Sequence, residues 1–200
     1  MTNYGERVAL VTGGLRGIGR GIAERLLNEG MQVYLVDIES DETAADLMQG
    51  IEGQATYLKL NVIEETEWQS VIGAIKSTSG RLDCLVNNAG VSIESSSPYA
   101  DKGTYNKTLD INLNAAFELS SNVLPIMAEN GSGSIVNITS LGAELGFANN
   151  PSYQISKDGL RQMTRALAKD WGSSGIRVNN ICPGYIKTSM TQKSFDDPEL

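Results

Sequence analysis

Histidine is absent from the 200-residue chain. That excludes an imidazole metal site and any Ser-His-Asp triad. Cysteine is nearly absent. Cys84 and Cys182 each sit inside an apolar run and read as buried, reduced thiols. A scaffold stapled by disulfides is therefore excluded. Residues 1–7 lack the apolar core of a signal peptide, and no apolar run reaches the length of a membrane span. A protein in a reducing, cytoplasmic compartment is expected, with no membrane partner. Basic residues are in deficit, 16 against 24 acids, for a net charge of −8. Nine of those acids and one base, Lys59, fall between Asp37 and Glu67, so the rest of the chain is electrically balanced. This field disfavours nucleic acid as a partner and reads as solvated helix faces. The remaining composition, 40% hydrophobic and 20% charged, is that of an ordinary globular domain. One domain over 1–200 is expected.

Two kinds of segment alternate. Continuous apolar runs at 7–12, 32–36, 56–60, 83–87, 134–139 and 176–182 read as buried parallel strands. Helical spacing appears between them: Ile18, Ile22 and Leu26 before Gly30; Trp68, Ile72 and Ile75 before Gly80; Ser156, Leu160, Met163 and Leu167 before Gly172. A long helix is expected over 102–128, with Pro125 weakening its last turn. Six strands alternating with helices predict an α/β, doubly wound parallel sheet.

The first strand runs into Thr12-Gly13-Gly14-Leu15-Arg16-Gly17-Ile18-Gly19, where a helix begins. Glycines let the chain turn sharply and let a pyrophosphate approach the backbone at a helix N-terminus. No Gly-Lys-Ser/Thr follows, which excludes a P-loop nucleotidase. Asp37 ends the second strand, 18 residues after Gly19, where a carboxylate bonds the adenosine ribose hydroxyls of a dinucleotide. That carboxylate favours NAD over NADP. Arg16 points the other way, since a base in the glycine loop can pair a 2′-phosphate.

Tyr153 and Lys157 stand at i and i+4 on one helix face. A phenol with a pKa near 10 is a poor base at neutral pH. An ammonium about 4 Å away, at an effective dielectric of about 20, is worth about 4 kcal/mol. That is roughly three pKa units, enough to make the phenol a working acid or base.

At this point the chain resembles the short-chain dehydrogenase/reductase family, from Val8 to Thr188. The glycine loop matches, as do Asn87-Asn88-Ala89-Gly90 after the fourth strand and Asn112 in Asp110-Ile111-Asn112-Leu113. Ser140 ends the run from Ile135 and matches the family's active serine. Tyr153 and Lys157 match its Tyr-x-x-x-Lys, and Pro183-Gly184, with Ile186 and Thr188 following, its Pro-Gly segment.

The resemblance implies a Rossmann fold with strand order 3-2-1-4-5-6. It implies that Tyr153 exchanges a proton with the substrate oxygen and that Lys157 lowers the phenol pKa and holds the nicotinamide ribose. Ser140 would bond the reacting oxygen, and Asn112 would position a relay water. Taken singly, Ser140 reads as a strand-end cap and Asn112 as a buried helix amide. The dinucleotide would be held by Gly13, Arg16, Gly17, Ile18, Gly19, Asp37, Asn61, Val62, Asn88, Ala89 and Gly90, with Tyr153, Lys157, Pro183, Gly184, Ile186 and Thr188. Asn61 replaces the family's usual aspartate, keeping an acceptor for adenine without the charge. Asn87 reads as a tie between strands, and Cys182 as a small strand residue. No metal is implied.

The implied function is hydride transfer between NAD and a secondary alcohol or carbonyl of sugar, alcohol or 3-hydroxyacyl type. The alternatives are an NADP-dependent 3-oxoacyl-carrier-protein reductase and, from another class, a dinucleotide-binding sensor or scaffold without turnover. Substrate walls are expected at 91–97, at 141–147 and after Thr188, where 188–200 would start a lid. The family's final strand would lie beyond Leu200, so the sequence reads as the leading part of a longer product. Glu94 and Glu144 could bond sugar hydroxyls, although solvent-facing glutamates are the simpler reading. Faces bearing Ala115, Ala116, Leu119, Leu160, Met163 and Leu167 suggest a homodimer or homotetramer.

Overall fold

The computed structural model describes residues 7–93 and 101–196. Six parallel strands form one sheet: β1 (Val8–Thr12), β2 (Gln32–Asp37), β3 (Ala55–Lys59), β4 (Cys84–Asn87), β5 (Gly133–Ile138) and β6 (Ile176–Ile181). Their order is β3-β2-β1-β4-β5-β6. Each central strand is apolar on both faces because helices cover both. Ala9, Val11, Val33 and Leu35 pack with Ala23 and Leu27 of α1 (Gly17–Asn28) and Ala44 of α2 (Asp41–Leu47). On the other face, Leu10, Leu85 and Ile135 meet α3 (Glu65–Ser79) and α5 (Ala115–Glu129). Leu167 of α6 (Pro151–Trp171) joins the same cluster.

The strand order reverses between β1 and β4, so the loops leaving their carboxyl ends diverge and open a crevice. Buried amides hold this junction. The Asn87 side chain donates to Asn137 Oδ1 at 2.8 Å and to Ser120 Oγ at 3.1 Å. Asn137 donates to Thr164 Oγ1 at 2.8 Å. Asn87 thus ties strand to strand and sheet to helix, as the sequence suggested.

Four departures have physical causes. α2 carries few apolar residues and has only Ala44 buried, so periodicity does not reveal it; the Ser40 hydroxyl starts it by accepting from the Thr43 N–H at 3.2 Å. The helix expected over 102–128 is α4 (Lys102–Leu109), a π turn (Asp110–Asn114) and α5. α5 runs through Pro125, whose ring is exposed, and ends at Glu129, one residue past the expected end. Cys182 lies just past β6 and is exposed; Cys84 is partly buried, its thiol pushed up to about 11 mainly by burial, and both are free. Finally, Ala115, Ala116, Leu119, Leu160 and Leu167 are buried within this chain and Met163 packs against its core. Those faces are therefore not free to pair copies.

Candidate active site

The glycine loop is built by mutual fit. Gly13 and Gly17 adopt φ of 61° and 53°, which side chains disfavour. A Cβ on Gly19 would fall on the Gly13 carbonyl oxygen. The Asn88 side chain donates to the carbonyls of Thr12 and Gly13, each at 3.0 Å. In return the Thr12 hydroxyl accepts from the Asn88 and Ala89 N–H groups, both at 3.0 Å. The first loop and the Asn-Asn-Ala-Gly segment therefore hold each other. Thr12 carries this coupling and was not singled out in the sequence, where it reads only as a strand end.

A cavity of about 750 Å³ follows the crevice. Gly13, Arg16, Gly17 and Ile18 line it from the loop, and Asp37, Asn61 and Val62 from the ends of β2 and β3. Asn88, Ala89 and Gly90 form its floor, and Pro183, Gly184, Ile186 and Thr188 close the far side. Ser140, Tyr153 and Lys157 line the same cavity. Gly19 and Asn112 stand behind its wall. Lys59, Glu67 and Lys107 also line it and were not expected. Glu67 accepts from the Asn61 N–H at 2.6 Å, and Asn61 Oδ1 accepts from the Ile63 N–H at 3.5 Å, so the Asn61 acceptor is turned into its own bend.

At the ribose end, Asp37 accepts from the N–H groups of Ile38 at 2.9 Å and, at 3.4 Å, Leu15. The Tyr57 hydroxyl donates to the Asp37 and Glu39 carbonyls at 3.0 and 2.6 Å, fixing this turn. Burial first, then the Asp37 carboxylate, push that phenol up to about 12. Arg16 pairs with Glu39 at 3.1 Å.

At the other end the Lys157 ammonium is buried and donates to the Ile138 carbonyl at 2.9 Å. Burial pushes it down to about 8. It lies 5.8 Å from the centre of the Tyr153 ring. The phenol itself is raised above its ordinary value, because burial outweighs the hydrogen bond with the Ser140 side chain. Burial thus opposes the depression expected from Lys157: helical spacing brings the two groups together but also dries the site. Ser140 Oγ accepts from the Gly142 N–H at 3.1 Å, so the hydroxyl caps the turn after β5 while it also bonds the Tyr153 phenol.

Asn112 lies in the π turn. Its Oδ1 accepts from the Val91 N–H at 2.8 Å, and its amide donates to the Val91 carbonyl at 2.9 Å and to Ser156 Oγ at 3.0 Å. A Cβ on Gly90 would touch Asn112 Oδ1 at 3.2 Å and Lys157 Nζ at 3.3 Å. Glu144 is paired with Arg161 at 2.6 Å, not directed at a ligand. Glu94 and the wall residues 94–97 lie outside the described residues.

A glycine cradle at one end and a phenol, a hydroxyl and an ammonium at the other suit a dinucleotide lying along the crevice. The cavity falls within the roughly 300–1,000 Å³ usual for cofactor sites. The family model for short chain dehydrogenases matches residues 7–199. The chain is 35% identical over 201 residues to 2-(R)-hydroxypropyl-CoM dehydrogenase of Xanthobacter autotrophicus, covering 98% of this chain and 80% of that one. It is likewise 35% identical to levodione reductase of Leifsonia aquatica, covering 99% and 77%. Among solved structures it is similar to a gluconate 5-dehydrogenase from Burkholderia cenocepacia in complex with NADP and tartrate. That match has a TM-score of 0.90 and 29% identity, covering 96% of this chain and 76% of that one.

Proposed function

Because the chain belongs to the short-chain dehydrogenase/reductase family, we propose that Tyr153, Ser140, Lys157 and Asn112 carry its chemistry and that its dinucleotide is NAD. The chain is an oxidoreductase acting between CH–OH and carbonyl groups with a nicotinamide dinucleotide. The carrying observation is one cavity shared by the glycine loop and Asp37 at one end and by Ser140, Tyr153 and Lys157 at the other.

When bound, the nicotinamide supplies or accepts the hydride. The residues handle the proton and the geometry. In oxidation, the Tyr153 phenolate takes the hydroxyl proton of the alcohol while the carbinol carbon gives up its hydrogen as hydride. In reduction, the phenol returns it to the carbonyl oxygen. Ser140, beside the phenol, donates its hydrogen to that oxygen. Lys157 supplies positive charge that stabilises the phenolate, and its buried position keeps this effect strong. Asn112 holds Val91, and with it the loop after β4, and the second lone pair of its Oδ1 is left to position the relay water. The raised phenol would be workable with an oxidised nicotinamide bound, whose positive charge would add to that of Lys157 in lowering it.

NAD is favoured by the fixed Asp37 carboxylate and by Glu39, which occupies Arg16. A specific observation supports the NADP reading: Lys59 is the register partner of Asp37 and lines the same cavity. We also propose that copies associate through the outer faces of α5 and α6, where Phe117 is 47% and Ile155 49% exposed. Light scattering at micromolar concentration tests this, and a lone chain refutes it. Two free thiols suit a reducing cytoplasm. Among the described residues no helix is long and apolar enough to cross a membrane.

The test is reduced-nicotinamide absorbance with cyclohexanol, 2-butanol, gluconate and 3-hydroxybutyrate, and with the matching ketones, against NAD and NADP. Turnover with NAD supports the reading. Dinucleotide binding without turnover of any pair favours the sensor alternative.

A further inference from the structure

The loop after β5 leaves Ser140 and leads into α6, where Tyr153 lies in the first turn. Residues 144–149 within it are all exposed. Apolar burial therefore contributes little to their position, and polar ties must decide it. Those ties converge on one side chain. Gln154 Oε1 accepts from the Phe147 N–H at 2.7 Å, and its Nε2 donates to the carbonyls of Phe147 at 2.8 Å and Asn150 at 2.9 Å. Three bonds in the normal range use both amide hydrogens and one of the two oxygen lone pairs.

The consequence reaches the reacting centre. A Cβ on Gly142 would lie 3.4 Å from Gln154 Cγ, 3.5 Å from Ser140 Oγ and 3.7 Å from the Phe147 ring. Gln154, the Phe147 ring and the Ser140 hydroxyl thus surround the same small residue. Asn149 holds a left-handed φ of 62° between the gripped residues 147 and 150, a conformation that asparagine adopts more readily than other non-glycine residues. Asn150 continues the chain of contacts by donating to Ser92 Oγ at 2.7 Å, in the loop after β4. Gln154, next to Tyr153, is therefore linked through Asn150 to the loop after β4 as well.

We infer that Gln154 is a positioning residue for substrate: it grips Phe147 at both backbone polar groups and fixes that ring as a wall of the opening over Tyr153 and Ser140. This rests on the reading of Tyr153 and Ser140 as the reacting centre. The Gln154 amide itself faces the loop backbone. It acts through the loop, and loss of it should weaken substrate binding with little effect on the dinucleotide.

The test compares Gln154→Leu, which keeps the volume and removes all three bonds, with Gln154→Glu, which keeps only the acceptor for the Phe147 N–H. The probe is whichever of cyclohexanol, 2-butanol, gluconate or 3-hydroxybutyrate the wild type turns over fastest. In Gln154→Leu, KM should rise about ten-fold or more, with a smaller change in kcat and an unchanged NADH dissociation constant, since a displaced wall disturbs orientation more than chemistry. Gln154→Glu should fall between the two. Amide exchange at Phe147 should accelerate in Gln154→Leu while strand amides keep their protection. Unchanged KM and unchanged Phe147 exchange overturn the inference, and so does an equal loss of NADH binding. If the wild type binds NADH but turns over no probe, the reading of the reacting centre fails. Phe147 exchange then still decides the grip separately.

Discussion

The Arg16 guanidinium lies 3.1 Å from the Glu39 carboxylate, on the rim where an adenosine ribose would rest. The base that could greet a 2′-phosphate is thereby held by an acid two residues beyond Asp37. Cofactor choice then depends on two carboxylates. Asp37→Ala should raise NADP use relative to NAD, and Asp37→Ala with Glu39→Ala should raise it further by freeing Arg16. Relief of about 1.4 kcal/mol corresponds to a roughly ten-fold change in the ratio of kcat/KM values. A wild type that already prefers NADP contradicts this weighting and points to Lys59.

Tyr153→Phe removes the phenolic hydroxyl and leaves the ring. Turnover should fall at least about 100-fold, the lower range for lost acid-base catalysis, while NADH fluorescence reports unchanged binding. Near-normal turnover would contradict the assigned proton carrier.

Gly19→Ala should abolish dinucleotide binding. Its methyl group would meet the Gly13 carbonyl oxygen and lie 2.5 Å from the Asn88 amide nitrogen, so the loop must move. Asn88, Ala89 and Thr12 move with it, because they are bonded to one another. Circular dichroism should retain the α/β signature while NADH fluorescence no longer responds.

Much of this was readable in the residues. Continuous apolar runs mark all six strands to within a residue or so, because strands covered on both faces have no polar side. The glycine loop, Asp37, Ser140, Tyr153 and Lys157 are local patterns, and the fold brings them to one cavity. What stayed hidden is long-range. Arg16 meeting Glu39, Asn88 meeting Gly13 and Gln154 meeting Phe147 leave no periodic trace. The π turn at Asp110–Asn114 was hidden too, since a one-residue widening preserves the helical look of the sequence. Apolar stripes on α5 and α6 could not say whether they served this chain's core or another copy; Leu119 and Leu160, both 1% exposed, serve the core.

Lys157 should leave a signature in stability against pH. Burial brings its ammonium to about 8 in the native protein, against 10.5 for the free side chain. Below pH 8 both native and unfolded chains are charged, and the burial penalty, of order 3 kcal/mol, is fully present. Between about 8 and 10.5 the unfolded chain binds more protons, so this contribution to stability rises with pH. Lys157→Met removes the titration. The melting temperature of the variant minus that of the wild type should therefore fall as pH goes from 7 to 10. A constant difference would show that the ammonium is not dehydrated as its burial implies.

Asn112→Ala tests the π turn. It strands the Val91 N–H and carbonyl and removes a bond partner of Ser156, all bonded at 2.8–3.0 Å in the native protein. Val91 is partly buried, so water can replace some of what is lost, and a total cost of about 1–3 kcal/mol should lower the melting temperature by a few degrees. Val91 leads the loop after β4, and Gly90 before it abuts both Asn112 and Lys157. Release of Val91 should thus lower kcat and speed amide exchange at Val91. The glycine loop is tied to Asn88 and Thr12 instead, so NADH should still bind. Loss of NADH binding in step with kcat would mean that Asn112 supports the whole crevice, not the reacting end alone.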